Sequence, residues 1–444
     1  MSDLKSAGAF DVPPRYQKTV LDNGVRVVTE HHQNTRTTSV GFFIDLGSRD
    51  EPNHLKGAAH FIEHLVFKGT KKRSAYDIVS ELEAVGGEVN AYTSREHTCF
   101  HSATLREDQS LSVDVLSDLI SQAQFKKEEF IKEREVILQE IDMSADNLEE
   151  YIFDIYFEKV FAGHNLGTPI LGTEQTLMDI NRDDLYDFYK KRYGGEHLII
   201  SVAGDVDHDL IVSEVSKALV YNKSDAVSSI NVDDRKCPEI NSFLEVVNKP
   251  SEHTHCLIGF PSSAYMSDNR FDSYIVNTYL GGGMTSKLYQ EIREKLALCY
   301  SVYTYLHSFT DNGLIMMYAG TSEKNLERVL SEFKVAVDNL KKDGISDEDL
   351  NFFKRQVKGQ IMIGADDIEN RMTSLAVNEM VFGEYKTVDS VLKEIDRVSN
   401  ESISRYIKEY LNYNDMGVLL MGPVKEAVAK ETVRKVFSCD GFKL

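Results

Sequence analysis

The sequence predicts an α+β protein made of two homologous halves, each a largely antiparallel sheet with helices packed on it. Three observations lead there. Strand-like and helical segments alternate along the whole chain. Three segments of the first half recur in the same order in the second, at nearly constant separation. A polar run, NKSDAVSSINVDDRKCPEI, falls between the two sets and reads as a linker. The resulting division is 1–222, a linker at 223–240, and 241–444. A chain of 444 residues is too long for one ordinary domain, which agrees with such a division.

The elements follow from local chemistry. LDNGVRVVTEHH opens on the turn signal Asp22-Asn23-Gly24 and continues with the β-branched Val25, Val27 and Val28, so it predicts a turn and a strand. TTSVGFFIDLGS (37–48) predicts a second strand. FKKEEFIKEREVILQEI (125–141) is helical and parallels ISDEDLNFFKRQVKGQI (345–361). MDINRDDLYDFYKKRY (178–193) parallels DRVSNESISRYIKEYL (396–411), and LIISVAGDV (198–206) parallels VLLMGPV (418–424). Three matches in order point to one duplicated unit of about 200 residues.

Composition narrows the function. A formal charge of −21 argues against nucleic acid, whose phosphates call for basic patches, and suits a basic or extended polypeptide. No apolar stretch approaches the roughly 20 residues that span a bilayer. The first residues, MSDLKSAGAFDVPPRY, lack the basic and apolar regions of a secretory signal. Cys99, Cys237, Cys256, Cys299 and Cys439 are odd in number, scattered and free of any C-x-x-C pair, so a reducing compartment is expected. That fits a cytoplasmic protein of bacterial type or a mature mitochondrial matrix form.

The chemistry concentrates in GAAHFIEHLVFKGT (57–70). Apolar residues surround this helix on nearly every side, yet it carries His60, Glu63 and His64. Residues four apart stack on one helix face, so His60 and His64 can grip one ion, with Glu63 near enough to reach a water on it. The bland alternative is a pair of core histidines satisfied by backbone carbonyls. A zinc hydrolase needs a third protein ligand and keeps one position open. Residues 125–141 offer carboxylates: Phe130, Ile137 and Ile141 form an apolar arc that also contains Glu133 and Glu140, whereas Glu128 and Glu135 read as solvated. The second-half counterpart of Glu140 is Gln360, and the region near Leu280–Met284 has no histidine, so any metal site is single and belongs to the first half.

H-F-I-E-H, followed by Glu140 within E-R-E-V-I-L-Q-E, resembles the pitrilysin-type inverzincin metallopeptidases. Within them the chain is similar above all to the β subunit of the mitochondrial processing peptidase and its bacterial homologues. GGEVNAYTSREHT (86–98), HNLGTPILGT (164–173) and GGGMTSKLYQEIREKLALCYS (281–301) extend the likeness over nearly the whole chain. The resemblance implies a clamshell of two halves with one Zn2+ per chain, held by His60, His64 and Glu140. It implies that Glu63 is the general base acting on a zinc-activated water, and that Glu133 orients one of the histidines. Asn90 and Ala91 match the edge strand that pairs with the substrate backbone. Arg293 and Tyr300 match an Arg–Tyr pair that holds substrate and stabilises the oxyanion. Spacing alone would read them as a surface Arg at a helix end and a packed Tyr.

The expected function is therefore a zinc metalloendopeptidase that cleaves extended or presequence-like peptides in an enclosed acidic cavity, working as a homodimer without a membrane span. The rival from another class is a non-catalytic structural subunit of a respiratory or processing complex. Relatives of that kind generally lack the full ligand set that stands here. Three features receive the bland reading: His253-x-His255 as core or surface histidines, Gly281-Gly282-Gly283 as a sharp turn, and YSVYTY (300–305) as a packed strand.

Overall fold

The computed structural model describes residues 15–33, 35–219, 235 and 237–437; most of the expected linker lies outside the described residues. In the first half, strands β1 (Arg15–Val20) and β2 (Arg26–His31) flank the predicted turn, where Gly24 has φ +87°. They are followed by β3 (Thr37–Ile44), β4 (Glu88–Thr93), β5 (Thr98–Leu105) and β6 (Leu198–Gly204). The second half supplies β7 (Phe243–Asn248), β8 (Thr254–Ser262), β9 (Cys299–Ser308), β10 (Gly313–Thr321) and β11 (Gly417–Gly422).

These strands form two sheets of matching topology. One has the order β1-β2-β6-β3-β5-β4 and the other β7-β11-β8-β10-β9. In each, a single parallel pair (β2 with β6, β7 with β11) joins an otherwise antiparallel array. Without β1, the two orders correspond strand for strand, as the duplicated segments require. The central strands β3, β6, β8, β10 and β11 are buried almost throughout, because helices cover both faces of each sheet.

The first-half helices are α1 (Ala58–Val66), α2 (Ala75–Glu83), α3 (Gln109–Gln122), α4 (Lys127–Asp146), α5 (Leu148–Val160), α6 (Glu174–Asp179), α7 (Arg182–Arg192) and α8 (His208–Ala218). The second half contributes α9 (Arg270–Gly281), α10 (Leu326–Asp343), α11 (Asp347–Ala365), α12 (Ile368–Phe382), α13 (Val388–Arg397), α14 (Asn400–Tyr410) and α15 (Glu426–Phe437). The paired segments coincide as α4 with α11, α7 with α14, and β6 with β11.

The two compact units interleave along the chain, whereas the linker pattern predicts one boundary at 223–240. One unit contains residues up to 138, 170–234 and 363–386; the other contains 139–169, 235–362 and 387–444. The reason lies in the helix following each long helix. Met372, Leu375 and Ala376 of α12 pack on Val28, Phe43, Cys99, Ile199 and Ala203 of the first sheet. Ile152 and Tyr156 of α5 pack with Leu257, Met316 and Leu419 of the second. Each half thus lends one helix to the other's sheet, and no sequence pattern specifies which sheet an amphipathic helix covers.

Polar contacts fix α12 in place. Arg371 donates to Glu30 through Nε at 2.9 Å and Nη2 at 2.6 Å, and Glu379 accepts Lys18 at 2.7 Å. Burial pushes the Glu30 carboxyl up, but His32 and Arg371 pull it further the other way, to about 2. Ser201 Oγ donates to the Met372 carbonyl at 2.6 Å.

Candidate metal centre

Helix α1 owes its start to two features. Gly57 has φ +91°, a conformation glycine adopts without penalty, and a Cβ there would lie 2.9 Å from the Leu171 carbonyl oxygen. The wholly buried Glu51 then accepts from Gly57 N–H at 2.8 Å and Ala59 N–H at 2.7 Å, satisfying donors that every helix start leaves orphaned. Burial pushes this carboxyl up to about 8, against the pull of those donors and of Lys56. Ala58, Ala59, Phe61, Ile62, Leu65 and Val66 are buried, which leaves His60, Glu63 and His64 on the remaining strip.

Helix α4 presents the partner set. Its buried residues are Phe130, Glu133 and Ile137, and Phe61 of α1 stacks on Phe130 with centroids 4.9 Å apart. Ile141, expected in the same apolar arc, is only half-buried, while Glu128 and Glu135 are exposed. Two turns beyond Glu133, on the same continuous helix, stands Glu140. Donor atoms of His60, His64 and Glu140 lie within 4.8 Å of one another, the only such group of metal-competent side chains among the described residues. The His60 and His64 rings meet edge to face at 4.7 Å.

This donor set fits zinc. Two imidazole nitrogens and one carboxylate are the donor types of a three-ligand zinc hydrolase site, and these side chains would hold the ion. The tautomer of His64 also fits. Its Nδ1 lies 3.1 Å from Glu133 Oε2, which as a carboxylate only accepts, so Nδ1–H donates there, and in the neutral ring that tautomer presents the Nε2 lone pair to a metal. Lys68 Nζ holds the other oxygen of Glu133 at 3.0 Å. Glu133→Gln should weaken zinc binding about 10–100-fold, measured by competition with a chromophoric chelator. Unchanged affinity would mean that the Glu133–His64 contact is incidental to the metal.

Glu63 stands beside the three converging side chains and is not one of them. Its Oε2 lies 3.6 Å from His60 Nδ1, too far for a hydrogen bond, and accepts one from Thr93 Oγ1. Thr93 ends β4, the edge strand, which pairs with β5 alone among the described strands. Asn90 and Ala91 lie in that strand opposite His101 and Phe100, with Asn90 exposed and its Oδ1 accepting from Ala91 N–H at 2.8 Å. The edge expected to pair with substrate is thereby tied to Glu63 through one hydroxyl, a link that no spacing or motif singles out.

Arg293 and Tyr300 meet within the second unit. The Arg293 guanidinium lies 4.8 Å over the Tyr300 ring and 4.7 Å over Tyr289, which sequence reasoning did not select. Tyr300 is 80% exposed at the start of the edge strand β9, so it is not packed in the core as spacing alone suggested. Of the features given a bland reading, His255 is a buried strand residue bonded to Tyr318 Oη at 2.8 Å. Gly281 lets α9 approach β9, since a Cβ there would lie 2.4 Å from Thr304 N.

Two family models match the chain: insulinase (peptidase family M16) over residues 26–174, and the peptidase M16 inactive domain over 179–357. The second runs from the end of the first half into the second and contains none of His60, His64 and Glu140. An uncharacterized zinc protease of Streptomyces coelicolor is 34% identical over 419 residues, 93% of this chain and 91% of that protein. Among solved structures, a protease from Helicobacter pylori superposes with TM-score 0.84 at 20% identity, covering 92% of this chain and 99% of the other. A chain of Complex III2 from Candida albicans does so with TM-score 0.79 at 16% identity, covering 94% and 99%. At those identities the structures speak for the fold, whereas the sequence relationship speaks for descent: the chain belongs to peptidase family M16, the insulinase family.

Proposed function

We propose that this chain is a zinc metalloendopeptidase, with one Zn2+ held by His60, His64 and Glu140 and Glu63 as general base. The observation that carries the reading is the convergence of those three donors beside Glu63, with Glu133 on His64. Zinc protease relatives support the metal and the reaction class.

The residues divide the work as follows. Zinc, when bound, lowers the pKa of water and polarises a carbonyl. Glu63 takes the proton of the attacking water and passes it to the leaving amine. Thr93 occupies Oε2 of Glu63 and so leaves its second oxygen for that proton. Asn90 and Ala91 pair with the backbone of an extended substrate, which gives affinity with little demand on side chains. Arg293 and Tyr300 hold the substrate and stabilise the oxyanion. Both sets of residues stand on one chain, which supports a homodimer rather than two specialised partners. The described residues contain no helix long and apolar enough to cross a membrane, and a cytoplasmic peptidase is proposed.

The non-catalytic alternative draws on the likeness to the Complex III2 chain, but that likeness concerns the fold alone, and the convergence of His60, His64 and Glu140 supports the catalytic reading. The net charge of −21 supports substrates with basic residues near the scissile bond, as in presequence-like segments. A quenched fluorescent peptide containing Arg should be cut, and faster than its Glu-substituted counterpart. Equal rates would remove the basic preference, and no cleavage of several peptides by zinc-loaded protein would turn the reading toward the structural alternative.

A further inference from the structure

The turn before Tyr300 departs from ordinary helix geometry. Tyr289–Lys295 is a π-helix, with Leu296 N–H donating to the Glu291 carbonyl at 3.1 Å, and it ends in a cap where Ala297 N–H donates to the Arg293 carbonyl at 3.2 Å and Leu298 N–H to the Ile292 carbonyl at 2.9 Å. Ala297 then takes φ +48°, a left-handed conformation that costs a residue with a Cβ about 1–2 kcal/mol. π-Turns are rare and concentrate at functional sites, and strain of this kind persists only where the surroundings enforce it.

Tyr289 and Arg293 stand four apart in this turn, where side chains are neighbours, and the guanidinium lies 4.7 Å from the Tyr289 ring, while Tyr300 meets the same guanidinium at 4.8 Å. The three groups differ in support. Tyr289 is partly buried and packs on the core of the second unit, Arg293 is half-buried, and Tyr300 is 80% exposed. Order thus runs outward from the anchored ring. A guanidinium held by two aromatic faces keeps its N–H edges free while its plane is fixed.

We propose that Tyr289 is a positioning residue for catalysis: its ring sets the plane of the Arg293 guanidinium and, through it, the place of Tyr300. This rests on the reading that Arg293 acts on the substrate. The face of the ring is what matters, so Leu at 289 removes the effect while keeping apolar packing, and Phe keeps it.

A double-mutant cycle on the zinc-loaded full chain tests the proposal with an Arg-containing fluorescent peptide. Arg293→Ala should lower kcat about 100-fold. Tyr289→Leu should lower kcat about tenfold with KM nearly unchanged, and Tyr289→Phe should restore the rate to within about twofold of the parent. The double variant Tyr289→Leu/Arg293→Ala should be no slower than Arg293→Ala, because Tyr289 acts only through Arg293. Thermal unfolding and zinc content of each variant separate misfolding from mispositioning. If Arg293→Ala is impaired but Tyr289→Leu matches the parent, or costs the same tenfold in both backgrounds, the positioning role is wrong. Parent-like activity of Arg293→Ala would instead remove the catalytic reading of Arg293 and this role with it.

Discussion

Glu63→Gln is expected to lower kcat by about 10²–10⁴-fold while zinc content and fold stay unchanged. The substitution keeps the size of the side chain and leaves an acceptor for Thr93 Oγ1, but the amide cannot take a proton at neutral pH. Glu63 is near His60 without hydrogen-bonding it and is absent from the group of converging donors, so its loss should spare the metal. Substrate binding should change little, because the role is confined to proton transfer. Peptide hydrolysis and metal analysis on the same preparation check the result. Loss of zinc together with loss of rate would assign Glu63 to the ligand set instead.

The largest expected effect on stability comes from the exchanged helix α12. Arg371→Ala takes the bidentate cation from the buried Glu30 carboxylate, leaves it only His32 at 2.7 Å as a charged partner, and should cost about 3 kcal/mol, read from the midpoint of denaturant unfolding. Glu30 is fully buried, and its bidentate bond to Arg371 ties α12 to β2. The sign of the pH dependence follows from its depressed value. Folding lowers the Glu30 carboxyl from the ordinary 4.5 to about 2, so the stabilisation is present above pH about 4.5 and is lost as pH falls toward about 2. The gap between parent and Arg371→Ala should therefore narrow below pH about 4.5. A gap that is constant with pH would mean that Arg371 contributes packing rather than charge.

Legibility in the sequence followed the range of the interaction. His60 and His64 are four residues apart on one helix, and Glu133 and Glu140 seven apart on another, so the 3.6-residue period alone groups them. The duplicated segments became α4 with α11, α7 with α14 and β6 with β11, because duplication preserves element order. Other features depend on contacts that no period encodes. Glu51 caps α1 from outside the helix, reaching donors six and eight residues ahead, and looks in sequence like any acidic loop residue. Thr93 reaches Glu63 from a neighbouring strand, and the π-turn that carries Tyr289 and Arg293 has no composition of its own. The exchange of α5 and α12 is a matter of tertiary choice, since either sheet offers an apolar face.

The central claim is a single zinc site made by His60, His64 and Glu140, and metal reconstitution tests it most directly. Protein stripped by a chelator should be inactive toward the Arg-containing peptide, and zinc added back should restore hydrolysis with a break at about one equivalent per chain. The same titration on Glu140→Gln should show markedly weaker zinc binding. Activity that survives chelation, or wild-type zinc affinity in Glu140→Gln, would contradict the account.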